Sequence, residues 1–322
     1  MNTNVITHPR VRDVARPTTI INSPRLSKYL GVDLTLASET FQYTGSFKFR
    51  AAYNVASQVP QTKILTASSG NFGQAMAYAC QLLGKTCIIV MPDTSARVKI
   101  DAVREYGGTV DLTDVRVKGR NARVAELALE HTDAYVASAY DDPLVIAGNA
   151  SLGEELVSLD ASLDIVVAPV GGGGLTSGLI TGIRSAGATT KVFGAEPLIA
   201  NDAARSLRAG QIIENPTEPQ TIADGARTPS LGVHNWAILK EGLAGIVEVP
   251  ETKIKEAVRL LFSHANLKTE PTGALSVAAL LTNPDQFRGQ SVCCVISGGN
   301  VDMNVYAELL SVAKGDQQYS VG

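Results

Sequence analysis

Short, continuous apolar runs alternate along this chain with stretches whose apolar residues recur every three to four positions. The continuous runs are rich in Val and Ile and predict strands, whereas the periodic stretches predict helices. The first series runs strand 63–67, helix 72–83, strand 86–91, helix 96–106, strand 109–112, helix 120–131 and strand 134–137. A second series runs strand 164–170, helix 175–186, strand 191–195, helices 253–264 and 272–281, and strand 291–296. That alternation is a βαβ rhythm and predicts parallel sheet with helices on both faces. Segment 201–233 is rich in Pro, Gly, Thr and Asn, and predicts long loops over the surface or over a site.

Composition narrows the function classes. The 322 residues suffice for about two domains at roughly 100–200 residues each, and 45% hydrophobic residues can bury a sizeable core. A net charge of −3 with no basic tract argues against nucleic acid or an anionic membrane as partner. No apolar stretch is long enough to span a bilayer, and residues 1–10 lack the apolar segment of a secretory signal. Cys80, Cys87, Cys293 and Cys294 form no CxxC and have no histidine at metal spacing, so reduced buried thiols of a cytoplasmic protein are expected.

Chemistry concentrates where strands end. Three predicted strands run into glycine-bearing loops: 68–71 (SSGN), 171–174 (GGGG) and 297–300 (SGGN). In open parallel sheets ligands bind beyond the carboxyl ends of strands, so the loops are expected to converge. Gly171, Gly172, Gly173 and Gly174 let several N–H groups approach a phosphate before a helix start, although a tight turn uses glycine too. Ser68, Ser69 and Asn71 suit a substrate carboxylate, or simple helix capping. Lys48 lies in TGSFKFR, a glycine-bearing turn, with Phe41, Phe47 and Phe49 as an apolar wall that would favour its neutral amine. A nucleophilic lysine and a phosphate cradle together fit pyridoxal 5'-phosphate (PLP).

Seven segments, in order, resemble the threonine/serine dehydratase and serine racemase branch of fold-type II PLP enzymes. They are residues 39–50 (ETFQYTGSFKFR), 68–74 (SSGNFGQ), 169–174 (PVGGGG), 194–197 (GAEP), 221–225 (TIADG), 270–273 (EPTG) and 297–300 (SGGN). The resemblance covers nearly the whole chain. It implies an α/β fold of two open twisted, mostly parallel sheets flanked by helices, as in the tryptophan synthase β chain, with the cofactor between domains. The domains expected are 1–55 with 142–322, and a smaller one over 56–141.

The resemblance also implies roles. Lys48 bonds the cofactor aldehyde and acts as base on one face; Ser69 is the acid/base on the other. Phe47 flanks the ring, Asn71 binds its hydroxyl, and Gly171 to Gly174 with Leu175 hold the phosphate. Gly225 and Glu270 line the cofactor, and Ser297 faces the pyridine nitrogen. Ser68, Ser69, Asn71 and Arg120 receive the substrate carboxylate. Glu196, the Ala200 carbonyl and Asp202 align with a site for Mg²⁺, Mn²⁺ or Ca²⁺, and their hard oxygens suit those ions. A hydroxyl at Ser297 cannot keep the ring nitrogen protonated as a carboxylate would, which favours prompt β-elimination over transamination.

The activity implied is β-elimination from a small β-hydroxy amino acid such as serine, threonine or 3-hydroxyaspartate, carried out by a homodimer. Alternatives are racemisation through Ser69 and β-replacement. Phe72 stands where the branch usually has histidine, which leaves the substrate side chain open. A nucleotide-binding dehydrogenase would require GxGxxG after the first strand, and the sequence does not carry that pattern there. His8, His131, His234, His264 and Trp236 fall in no catalytic motif and are expected to be structural or superficial.

Overall fold

The computed structural model describes residues 10–68, 70–95 and 97–311. Its strands are β1 (Thr19–Asn22), β2 (Asp33–Ser38), β3 (Lys63–Ala67), β4 (Thr86–Pro92), β5 (Thr109–Thr113), β6 (Tyr135–Ala137), β7 (Ile165–Pro169), β8 (Lys191–Pro197), β9 (Leu243–Val249) and β10 (Ser291–Ile296). They form two sheets, ordered β1-β2-β10-β7-β8-β9 and β5-β4-β3-β6. All pairings among these strands are parallel except β1 with β2.

Burial on both faces explains the continuous apolar runs. In β10, Val292, Cys294 and Ile296 pack with helices Glu251–Ala265 and Leu275–Thr282 on one side. Cys293 and Val295 pack on the other side against helices Pro143–Leu159 and Gly174–Ser185. The smaller sheet repeats the arrangement. Ile64 and Ile89 face helices Lys48–Gln58 and Asn71–Leu82, while Leu65 and Val90 face helix Arg120–Glu130. All four cysteines are free and buried.

Several elements depart from the sequence reading, which does not include strands β1, β2 and β9 or helices Lys48–Gln58 and Val233–Gly242. Segment 201–233 is not all loop: helix Asp202–Ala209 forms there and buries Ala203, Ala204 and Ser206. Gly210 terminates it in the left-handed conformation (φ 69°). Helix Pro143–Leu159 joins the two series and is capped by Asp142, whose side chain accepts from Leu144 N–H at 2.7 Å.

Candidate active site

A cavity opens at the C-terminal ends of β3, β7 and β10, where the glycine-bearing loops meet. The Lys48 loop is stitched to the end of β10. Phe47 N–H donates to Ser297 O at 3.0 Å, Gly299 N–H donates to Gly45 O at 3.0 Å, and Ser46 bridges Gly298. Thr44 takes φ 59° just before Gly45, a conformation that β-branched residues rarely adopt. Asn300 Nδ2 fixes it by donating to Thr44 O at 2.7 Å. A side chain at Gly45 would collide with Asn300.

The glycine turn therefore ends before Lys48, which is the first residue of helix Lys48–Gln58. Its Nζ donates to Ala139 O at 2.7 Å and stands 5.1 Å from the Phe47 ring centre and 5.6 Å from that of Phe72. Burial lowers the Lys48 pKa to about 8, against the pull of Glu270, bringing the neutral amine within reach near neutral pH. The apolar wall differs from the expected one. Phe41 is exposed, at 53%, and Phe49 turns into the core against Tyr43, Tyr53 and Tyr78. One residue along a helix is a rotation of about 100°, which carries Phe49 away from the face of Lys48.

The glycine cradle is built by what its carbonyls do. Gly172 O accepts from Asn235 Nδ2 at 2.7 Å and from Gly232 N–H at 3.1 Å, and Gly174 O accepts from Asn149 Nδ2 at 3.0 Å. Those carbonyls are satisfied by neighbouring protein groups. The first helical bond runs from Ser177 N–H to Gly173 O, at 2.9 Å, leaving the amides before it outside the ladder at a positive helix end. Gly173 has φ 95°, and a side chain at Gly172 would overlap the Tyr140 ring. This donor-rich, side-chain-free surface fits a phosphate.

Around it, Leu175, Gly225, Thr272 and Ser297 complete the wall. Asn71 Nδ2 donates to Glu270 Oε1 at 2.8 Å, and Asn71 Oδ1 accepts from Asn300 Nδ2 at 2.8 Å. Burial, reinforced by the charge of Asp224, pushes the Glu270 carboxyl up to about 8.

Other expected residues lie elsewhere. The buried Ser68 Oγ accepts from Gly73 N–H at 2.9 Å and Gly70 N–H at 3.3 Å, so it tethers the start of helix Asn71–Leu82 and does not form the cavity wall. Ser69 and His8 lie outside the described residues. Arg120 is not part of the cavity wall, but its charge reaches Tyr140, which is. Burial raises the Tyr140 hydroxyl, Asp141 and Asp202 add to the rise, and Arg120 opposes it. Glu196 accepts from Ala203 and Ala204 N–H at 3.2 and 2.7 Å. Asp202 Oδ1 accepts from Asn215 Nδ2 at 2.8 Å; its buried Oδ2 makes no close hydrogen bond among the described residues, although the Leu231 and Asp202 amides lie near enough to the carboxyl to hold its pKa down. Burial raises both carboxyls, Asp202 to about 6. Among the described residues no three His, Cys, Asp or Glu side chains cluster. A set with two carboxylates and a backbone carbonyl is compatible with that, and the buried Oδ2 fits a hard cation.

Tyr140, Lys99, Asp224 and Thr272 line the cavity without having been singled out from sequence. Asp224 lies within the TIADG segment and Thr272 within EPTG, so both carried a local signal; Tyr140 and Lys99 reach the site only through the fold.

The family model for "Pyridoxal-phosphate dependent enzyme" matches residues 11–298. L-threo-3-hydroxyaspartate ammonia-lyase from Pseudomonas sp is 37% identical over 305 residues, covering 94% of this chain and 95% of that protein. Serine racemase from Schizosaccharomyces pombe is 34% identical over 306 residues, with 94% of each chain covered. The crystal structure of threonine deaminase from T.th. superposes with a TM-score of 0.86 at 40% identity, covering 91% of this chain and 96% of that one. With the lysine, the amide cradle and this likeness across nearly the full length, the chain belongs to the pyridoxal-phosphate dependent enzymes of fold type II.

Proposed function

We propose that the chain is an ammonia-lyase that converts a small β-hydroxy amino acid into a 2-oxo acid and ammonia. In the net reaction water leaves across Cα and Cβ, and the resulting enamine tautomerises and takes up water as ammonia departs. Bound PLP supplies an aldehyde that captures amines and a ring that withdraws electrons from Cα. The observation that carries the reading is the Lys48 amine, held near two aromatic rings in a cavity whose wall includes Ser297.

Lys48 is the residue that takes the Cα proton once its amine is released. Residues 171–175 would hold the phosphate through backbone amides, and Asn71, Phe47 and Ser297, which line the same cavity, would hold the ring, Ser297 as a neutral partner. Gly225 and Glu270 close the wall. Asn71, which lines the cavity, would receive the substrate carboxylate together with Ser69; Ser68 and Arg120 stand back from the wall. Phe72, 2% exposed, replaces a hydrogen-bonding side chain with an apolar one beside the 68–71 loop. Glu196, Ala200 O and Asp202 would hold a divalent cation, supported by the buried Asp202 Oδ2, which makes no close hydrogen bond among the described residues.

The test is a panel of serine, threonine and 3-hydroxyaspartate, both enantiomers, scored for 2-oxo acid, ammonia and D-amino acid. Ammonia and 2-oxo acid in equal amounts are expected, and their absence with every substrate would refute the reading. Racemisation is kept as a second reading because the chain carries Ser69 in the SSGN segment and resembles a serine racemase at 34% identity. Accumulation of D-product in wild type, lost in Ser69→Ala, would select it.

A further inference from the structure

A second cavity lies beside the active-site cavity, and Lys99, Asp224 and Glu270 line both. Glu270 is bonded to Asn71 on the active-site side. The other two form an ion pair, Lys99 Nζ to Asp224 Oδ2 at 2.6 Å. Lys99 belongs to helix Arg97–Glu105, which follows β4 of the smaller sheet, whereas Asp224 opens the short turn Asp224–Ala226 of the larger unit and precedes the cavity-lining Gly225. The pair thus runs from one sheet's layer to the other's, along the partition between the cavities. The Lys99 side chain lies 3.7 Å from where a side chain at Gly70 would begin, so the lysine lies over Gly70.

The second cavity is lined by the basic Arg227 and Lys255 and by the acidic Asp302 and Glu308. Walls of both signs suit a zwitterion. The side chains of Lys99 and Asp224 are 21% and 41% exposed, and a pair so exposed is weak and readily exchanged.

We propose that the Lys99–Asp224 ion pair is a gate between this second cavity and the reaction cavity. An entering amino acid opens it because the substrate carboxylate competes with Asp224 for the Lys99 ammonium. The inference rests on the cavity holding PLP at Lys48, as proposed above. Lys99 and Asp224 are positioning residues here and take no part in bond making.

The experiment follows hydroxylamine, a small neutral probe, as it discharges the visible absorbance of the holoenzyme in the absence of substrate. Lys99→Met and Asp224→Asn should each speed that reaction about fivefold, the factor an ordinary part-exposed ion pair represents. The charge-exchanged double variant Lys99→Asp/Asp224→Lys should restore the slow rate. Rates of both single variants within about twofold of wild type would overturn the gate. So would a double variant that stays as fast as the singles. Because the rate is read on the cofactor before any turnover, a failed gate is distinguishable from a failed PLP assignment, in which wild type would bind no cofactor at all.

Discussion

At the residue scale the account turns on the proton held by Lys48. Its pKa of about 8 lies below the ordinary 10.5 because burial disfavours the ammonium, with Glu270 opposing the shift. A lysine depressed in this way binds fewer protons folded than unfolded, so its burial penalty is full below about pH 8 and is relieved as pH climbs toward 10.5. Cofactor capture needs the neutral amine. In apo-protein the rate of covalent capture of PLP should therefore rise with pH up to about 8 and level off above it. Stopped-flow absorbance against pH checks this. Glu270→Gln removes the charge that supports the ammonium and should move the midpoint to lower pH. Two positions further on, Arg50 is 1% exposed and bridges Glu39 at 2.8 Å and Glu155 at 2.8 Å. Arg50→Ala leaves the buried Glu39 without its cation and should cost about 3–5 kcal/mol in denaturant unfolding.

At the scale of elements, the cradle depends on a glycine backed by an aromatic ring. Gly172→Ala would push its new methyl into Tyr140 and should weaken PLP binding by about 1–3 kcal/mol, measured by fluorescence titration, while the helix content stays unchanged. The strand-helix alternation from residue 63 onward was legible because β3, β4, β7 and β10 are largely buried on both faces and so read as unbroken apolar runs. β9 carried a poorer signal: it is an edge strand, LAGIVEV, only partly buried. Helix Pro143–Leu159 buries residues around much of its circumference, from Val145 to Leu156, so no clean apolar stripe marks it. Lys48, Asn71 and the residues at 171–174 could be named because close backbone approach leaves glycines beside them, and glycine clusters are visible in a sequence. Lys99 and Tyr140 could not, since only the packing of helix Arg97–Glu105 and of the β6 exit loop brings them to the wall.

At the scale of the whole molecule, two sheets meet around one cavity, and the residues that line it come from both halves of the chain. The Lys99–Asp224 pair links the layers of the two sheets. No helix among the described residues is long and apolar enough to cross a membrane. We propose a homodimer, for which sedimentation should give twice 33.9 kDa. Prolonged chelation should lower the melting temperature, and Mg²⁺, Mn²⁺ or Ca²⁺ should restore it in wild type but not in Asp202→Asn. A melting temperature indifferent to chelator would remove the cation from the account. The central claim is covalent capture of PLP by a single amine. Borohydride reduction of the purified holoprotein followed by peptide mapping tests it most directly. The account predicts the pyridoxyl mass on the peptide bearing Lys48. An unmodified Lys48, or the label on Lys99 instead, would contradict it.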